Sequence, residues 1–323
     1  KGIIMDIKQI NQKKNHLKKI ISLHGEPWLK DIEHRIIKTV CSLAYSGDLK
    51  MLQTVPISFH PDQIVDKYGY TPLILASSGE TKKHIEVIEW LLAKGANPST
   101  VAKDGLTPLL AASIHSRNKS IELLLDAGAD PNVVHEEFGT ALMVAAKNGM
   151  SQRVKLLLSH RAEPKLAQQS DGRTALHLAQ KRDVFKHLLD AEADPNALDK
   201  GGNSPLHLVA NTGELEALEM LLKAKADPDL ARSTDGLTPM MMATRSEKFE
   251  CVKCLIKYNA DVNRSEKKTG MTSLHIASAI GDTKTVQLLL ENSADPNAVI
   301  IGSGITAIHF AAQNSDAKSV RLL

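Results

Sequence analysis

Residues 104–137 read DGLTPLLAASIHSRNKSIELLLDAGADPNVVHEE, and this stretch decides the fold. Asp104-Gly105 is a tight-turn signal, because Gly accepts the positive φ that a hairpin demands. Thr107 follows as a helix cap, with Pro108 in the first helical position, where a missing N–H costs nothing. Leu109, Leu110, Ala111 and Ala112 make a short helix whose alanines let a neighbouring layer approach closely. After a loop, Ser120–Asp126 is expected to form a second helix that buries Ile121, Leu124 and Leu125, and Gly128 stops it from the position after its last turn. Asp130-Pro131-Asn132 then turns the chain out toward the next hairpin. The unit is helix, loop, helix and projecting hairpin.

The same unit recurs along the chain. The phrases TPLILA, TPLLAA, TALMVAA, TALHLA, SPLHLVA, TPMMMA, TSLHIA and TAIHFA place their Thr or Ser at 71, 107, 140, 174, 204, 238, 272 and 306. The spacings are 36, 33, 34, 30, 34, 34 and 34 residues, so each unit is one stacked supersecondary element. A closing phrase follows each of the first seven: GANPS, GADPN, RAEPK, EADPN, KADPD, NADVN and SADPN. T-P-L-H-x-A followed some twenty residues later by G-A-D-x-N resembles the ankyrin repeat across residues 34–323. The resemblance implies an all-α ankyrin-repeat solenoid of about nine units, spanning 34–66, 67–102, 103–135, 136–169, 170–199, 200–233, 234–267, 268–301 and 302–323.

The first unit lacks the TPLH phrase, with Ile37–Tyr45 and Gly47–Leu52 as its two helices and a long link over Val55–Asp66. In the second, extra residues near Gly79–His84 are expected to lengthen the loop between helices. In the fifth, Gln180-Lys181-Arg182-Asp183 replaces the usual link, so its second helix should start early. Residues 1–33 stand outside the repeat. Ile3, Ile7, Ile10, Leu17, Ile20 and Ile21 lie at helical spacing among Lys8, Lys13, Lys14, Lys18 and Lys19, ahead of the Gly25-Glu26-Pro27 breaker. A helix capping the first repeat is the expectation; the alternative is a basic helix that dimerises or touches a membrane surface.

Composition excludes several classes. A net charge of +3 gives no electrostatic case for nucleic acid. No apolar run reaches the 18 residues of a membrane-spanning helix. Aromatics make up only 3% of the chain, which suits thin helical layers built of Leu, Ala, Ile and Val. Without a leader pattern at Lys1, and with a helical pattern still running at Leu323, the chain is expected to be a segment of a longer protein. Cys41, Cys251 and Cys254 suggest a reducing, cytoplasmic setting, with the nucleus as an alternative. The sequons at Asn118-Lys119-Ser120 and Asn263-Arg264-Ser265 have no use there.

Catalytic chemistry finds no foothold. His177, His207, His275 and His309 repeat in the fourth slot of the phrase, but packed helices hold neighbours about 10 Å apart, too far for one ion. The resemblance implies that each imidazole bonds backbone between adjacent repeats. Ile74, Leu110, Met143 and Met241 fill the slot elsewhere. Cys251 and Cys254 form C-x-x-C, yet alignment with KSIELLLDAGADPN puts both on apolar helix slots. No phosphate loop or nucleophile elbow is present, and Gly302-Ser303-Gly304 falls at a hairpin tip. The expectation is a chain that is not an enzyme and carries no cofactor or metal. The hairpin asparagines Asn132, Asn196, Asn263 and Asn297 resemble sites hydroxylated in some ankyrin proteins; hydrogen bonding within the turn is the other reading.

A binding face is therefore expected on hairpin tips and first helices, where no packing rule dictates the side chain. At the tips, Tyr68, Tyr70, Leu106 and Phe138 would gather apolar surface over three units, beside Glu137 and, farther along, Arg173 and Asn203. On the first helices, Lys147, Lys181, Arg182 and Arg245 lend a basic tendency suited to an acidic or carboxylate-bearing peptide. Met240-Met241-Met242 is expected to be core with one methionine exposed. The function implied is capture of a protein or peptide ligand. Its alternatives are a targeting or sensor arm of a larger enzyme or channel, and a small-ligand sensor.

Overall fold

The computed structural model describes residues 34–55, 60–115 and 118–323. The N-terminal extension 1–33 lies outside the described residues, so its capping, dimerising and membrane-touching readings lie outside them too. The chain divides into two compact units, Lys1–Ala145 with Gln152–Glu163, and Ala146–Ser151 with Pro164–Leu323.

Helix pairs follow the sequence phrases closely. The first repeat has a helix through 34–46, then Leu49–Leu52 capped by the Asp48 carboxylate, and a 3-10 turn at Pro61–Gln63. Repeats two to four pair Pro72–Ser77 with Lys82–Ala93, Pro108–His115 with Asn118–Asp126, and Ala141–Lys147 with Ser151–Ser159. Repeats five to nine pair Ala175–Leu178 with Arg182–Asp190, Pro205–Thr212 with Leu215–Lys223, Pro239–Arg245 with Phe249–Lys257, Ser273–Ile280 with Thr283–Glu291, and Ala307–Gln313 with Ala317–Leu322. Within each unit, first helices pack on first helices and second on second. Leucines at the second-helix seams are essentially inaccessible, among them Leu124, Leu188, Leu221, Leu255 and Leu289.

Two expectations about repeat length meet different fates. The extra residues of repeat two do not lengthen a loop. They add a turn to the second helix, which runs 12 residues where its counterparts in repeats three to nine run nine or fewer. Helix propagation satisfies those backbone groups internally, whereas a longer loop would leave them to solvent. His84 caps the extended helix through Thr81 and reaches the Tyr45 carbonyl at 2.9 Å, tying repeat two to repeat one. Gly79 makes room, since a Cβ there would lie 2.0 Å from the His84 ring. Repeat five behaves as expected: its first helix is four residues long and its second begins at Arg182.

The core is also tighter than expected around the methionine run. Met240, Met241 and Met242 are all buried, with none exposed, because Leu237 and Ile276 close over Met241 and Met242. Cys251 and Cys254 are buried free thiols, and burial pushes the Cys251 thiol up to about 11. Among the described residues no group of His, Cys, Asp and Glu is placed to hold a metal.

Candidate functional site

Three kinds of side chain hold successive hairpins in place, and what they leave over defines the candidate site. The first is the repeated histidine. The Thr174 and Ser204 backbone N–H groups donate to Nδ1 of His177 and His207 at 3.2 and 3.1 Å. Each Nδ1 is thereby an acceptor, so the proton sits on Nε2, which donates to the carbonyls of Asn203 and Leu237 at 3.0 and 3.1 Å in the following hairpins. His275 repeats the pattern from Thr272 to the Ala298 carbonyl, and His309 caps its own helix at Thr306. Burial lowers the His177, His207 and His275 values, His207 to about 4. In repeat four, Met143 takes the slot and its sulfur faces the Thr140 N–H at 3.4 Å.

The hairpin asparagine comes second. Asn132 donates its amide to the Arg161 carbonyl at 3.1 Å and accepts from the Glu163 N–H at 2.8 Å. Asn196 does the same with Lys225 and Asp227, and Asn263 with Ser293 and Asp295. Their carbonyl acceptors belong to residues with positive φ, Arg161, Lys225 and Ser293, each closing a second helix where Gly95 and Gly128 do so elsewhere. Asp229 occupies the asparagine slot in repeat six and only accepts, from the Asp261 N–H at 2.9 Å.

Third is a polar network that absorbs part of the expected basic face. Arg173 lies 3.5 Å from the Asp171 carboxylate and 3.6 Å from that of buried Asp199. Asn203 donates to Asp199 through its backbone at 2.8 Å and through its amide at 3.1 Å. Burial works against the Asp199 carboxylate, but these bonds hold it below the usual range. Arg173 and Asn203 thus meet each other through Asp199. Sequence reading missed Asp199, although its place beside a turn Gly-Gly was a signal. It also missed Arg153, a buried arginine whose guanidinium reaches the Ser113 carbonyl at 2.7 Å.

The side chains that remain fall into two groups, each within one compact unit. In the first unit, Tyr68 and Tyr70 rings sit 5.9 Å apart, and Lys67 Nζ lies 4.6 Å over the Tyr68 ring. Tyr70 and Leu106 pack on Ile74, Ala102 and Ala111, so the structure brings three of the four expected apolar tips together. Tyr70 donates to the Asp104 carboxylate, a bond that together with burial pushes the phenol up to about 12. Tyr68 stays 53% exposed. Phe138 stacks instead on His135 of its own hairpin at 4.9 Å and is 40% exposed; the backbone N–H of Glu137 donates to that same imidazole.

In the second unit, Lys147, Lys181, Arg182 and Arg245 are exposed. The Lys181 stem lies over Gly149, where a Cβ would come within 2.8 Å of it. Arg182 borders a cleft of about 290 Å³ left by the shortened repeat five, with Gln180 and Phe185 on one side and Glu214, Leu215, Glu216 and Ala217 on the other. Arg245 contacts the Met242 sulfur at 3.2 Å.

Comparison with known proteins names the family. The profile described as ankyrin repeats (3 copies) matches residues 40–135, 121–199, 142–232, 181–266 and 206–300, and ankyrin repeats (many copies) matches 281–323. The chain belongs to the ankyrin repeat family. Ankyrin repeats are a common protein-interaction module and are typically not enzymes. The chain is 40% identical over 70 residues to the neurogenic locus Notch protein of Drosophila melanogaster, covering 21% of this chain and 3% of that one. It is 38% identical over 63 residues to the tyrosine-protein kinase Shark of the same organism, covering 19% of this chain and 7% of the kinase. The matched stretch is thus a small fraction of these curated relatives. Among solved structures, the ankyrin repeat domain of Bcl-3, a member of the IkappaB protein family, superposes with a TM-score of 0.61 at 26% identity, over 68% of this chain and 99% of that domain. No described helix is long and apolar enough to cross a membrane.

Proposed function

We propose that this chain is a non-enzymatic binding module that holds a peptide segment or domain surface on its hairpin tips and first helices. One observation carries the reading: the Tyr68, Tyr70 and Leu106 tip keeps Tyr68 more than half exposed while its neighbours pack beneath it. Exposed apolar groups held on a rigid base cost free energy when uncovered and act as anchors when covered. Tyr68, Tyr70, Leu106 and Phe138 are the anchors, with Glu137 at their edge. Lys147, Lys181, Arg182 and Arg245 orient an acidic partner, while Arg173 and Asn203 serve mainly to shape their hairpins. The three buried free cysteines favour a cytoplasmic setting.

The test is capture of partners from lysate with this chain beside a Tyr68→Ala/Phe138→Ala variant whose helicity is unchanged. Each substitution is expected to cost roughly 1–2 kcal/mol in affinity. A specific band lost in the variant supports the anchors; a band held equally by both overturns them.

A second reading has its own support. Notch and Shark carry the matched repeats in about 3% and 7% of their lengths, so the same face would suit the targeting arm of a larger protein.

A further inference from the structure

The base of each hairpin has a slot whose backbone N–H bonds across the turn, filled by Asp66, Ala102, His135, Gln168, Asp199, Arg232, Glu266 and Ile300 in successive repeats. Asp66, His135, Asp199 and Glu266 use it to accept backbone N–H groups of their own turns. Arg232 reverses the charge. With no acceptor atom to offer the N–H groups of its turn, its guanidinium turns onto the first helix of repeat seven, with Nη1 4.0 Å from the Met242 sulfur. Arg245, at the end of that helix, brings its Nη2 to the same sulfur at 3.2 Å.

The two guanidinium nitrogens are therefore no more than about 7 Å apart, a gap that one oxyanion bridges with charge-assisted hydrogen bonds of about 2.8 Å on either side. A thioether is a weak, neutral acceptor for two cations. Arg232 keeps one carboxylate, Asp235 at 3.3 Å from its Nε, and that nitrogen is buried without a hydrogen bond of good geometry. Arg245 has no carboxylate within ion-pair distance among the described residues. The pair carries two positive charges against one negative, and its outer member is exposed.

We propose that Arg232 and Arg245 form a seat for an oxyanion, a phosphoryl or carboxylate group carried by an acidic peptide. It rests on reading the hairpin and first-helix face as a binding surface, and it gives that surface a fixed polar point. Planar guanidinium forks suit such groups better than lysine does.

The test uses inorganic phosphate and needs no partner. In this chain labelled with 13C-methyl methionine, the Met242 methyl resonance, assigned through a Met242→Leu variant, is followed as sodium phosphate is added against sodium chloride of equal ionic strength. A saturable shift with phosphate alone is expected, and Arg232→Gln or Arg245→Gln should each raise the half-saturating concentration roughly tenfold. Arg245→Lys, which keeps the charge and loses the fork, should fall between. Acetate titrated alongside tells which of the two groups the seat prefers. An equal shift with chloride, or variants that titrate like the parent, overturns the proposal. That result alongside a partner still captured by the tyrosine tip would remove the seat and leave the binding module standing.

Discussion

At the residue scale, the repeated imidazole is a proton-sensitive clasp. Nδ1 faces a backbone N–H in His177, His207 and His275, so a second proton on the ring would meet a donor head-on. Burial holds the His207 value near 4 against an ordinary 6.5, so the unfolded chain takes up the proton first. Stability is therefore full above pH 6.5 and falls as pH drops toward 4, by about 3 kcal/mol for this one group. Denaturant midpoints measured from pH 7.5 to 4.5 should show that fall. A His207→Leu variant should be weaker at pH 7.5, yet lose less on acidification; an unchanged slope would contradict the assignment. Asp229 makes the opposite case. Burial and the nearby Asp261 and Asp227 carboxylates raise its value, so its ionised form is a burden at neutral pH that eases as the group protonates. Asp229→Asn restores the amide donor that Asn196 and Asn263 use, aimed at the Asn259 carbonyl. It should raise stability by about 1 kcal/mol at pH 7 and by less near pH 4. No gain at pH 7 would mean that the asparagine rung adds nothing to this seam.

At the scale of the element, caps and phrases were legible because each rests on local chemistry. Thr-Pro reads as a cap followed by a first turn wherever it occurs, and Thr71, Thr107 and Thr238 all accept from the N–H three residues on. The role of the periodic His was legible only through the family resemblance, since its Nε2 bonds the following hairpin. The second-helix extension in repeat two was not, because the choice between loop and helix for Gly79–His84 depends on His84 finding the Tyr45 carbonyl in another repeat. The candidate site was half legible. Exposure of Tyr68 follows from its place at a tip, whereas the engagement of Arg173 by Asp199 follows from two hairpins meeting, which no single repeat encodes. Arg232 escaped notice since its meaning lies in contrast with Asp66 and Asp199 in the same slot.

At the scale of the whole molecule, repeats that contact chiefly their neighbours should not unfold as one. The chain has two tryptophans, Trp28 and Trp90. In a Trp28→Phe variant, Trp90 fluorescence reports repeat two alone while far-UV circular dichroism reports every helix. The two denaturation curves should separate, and coincidence would show a single cooperative unit. The irregular repeats also say how such a chain tolerates change in length. From the capping Thr or Ser to the positive-φ residue that closes the second helix is 21 residues in five repeats, 24 in repeat two and 18 in repeat five. The difference is three residues, close to one helical turn. In repeat five the missing turn comes off the end of the first helix, and both seams survive it: His177 still reaches the Asn203 carbonyl, and Asn196 still bridges Lys225 and Asp227. Across the hairpins, from the positive-φ residue to the next cap, the count changes only between 12 and 13. Length is thus absorbed along the helices, in the second helix of repeat two and the first helix of repeat five, in steps of about one turn, and the hairpins that carry the bonds between repeats hold their length to within one residue.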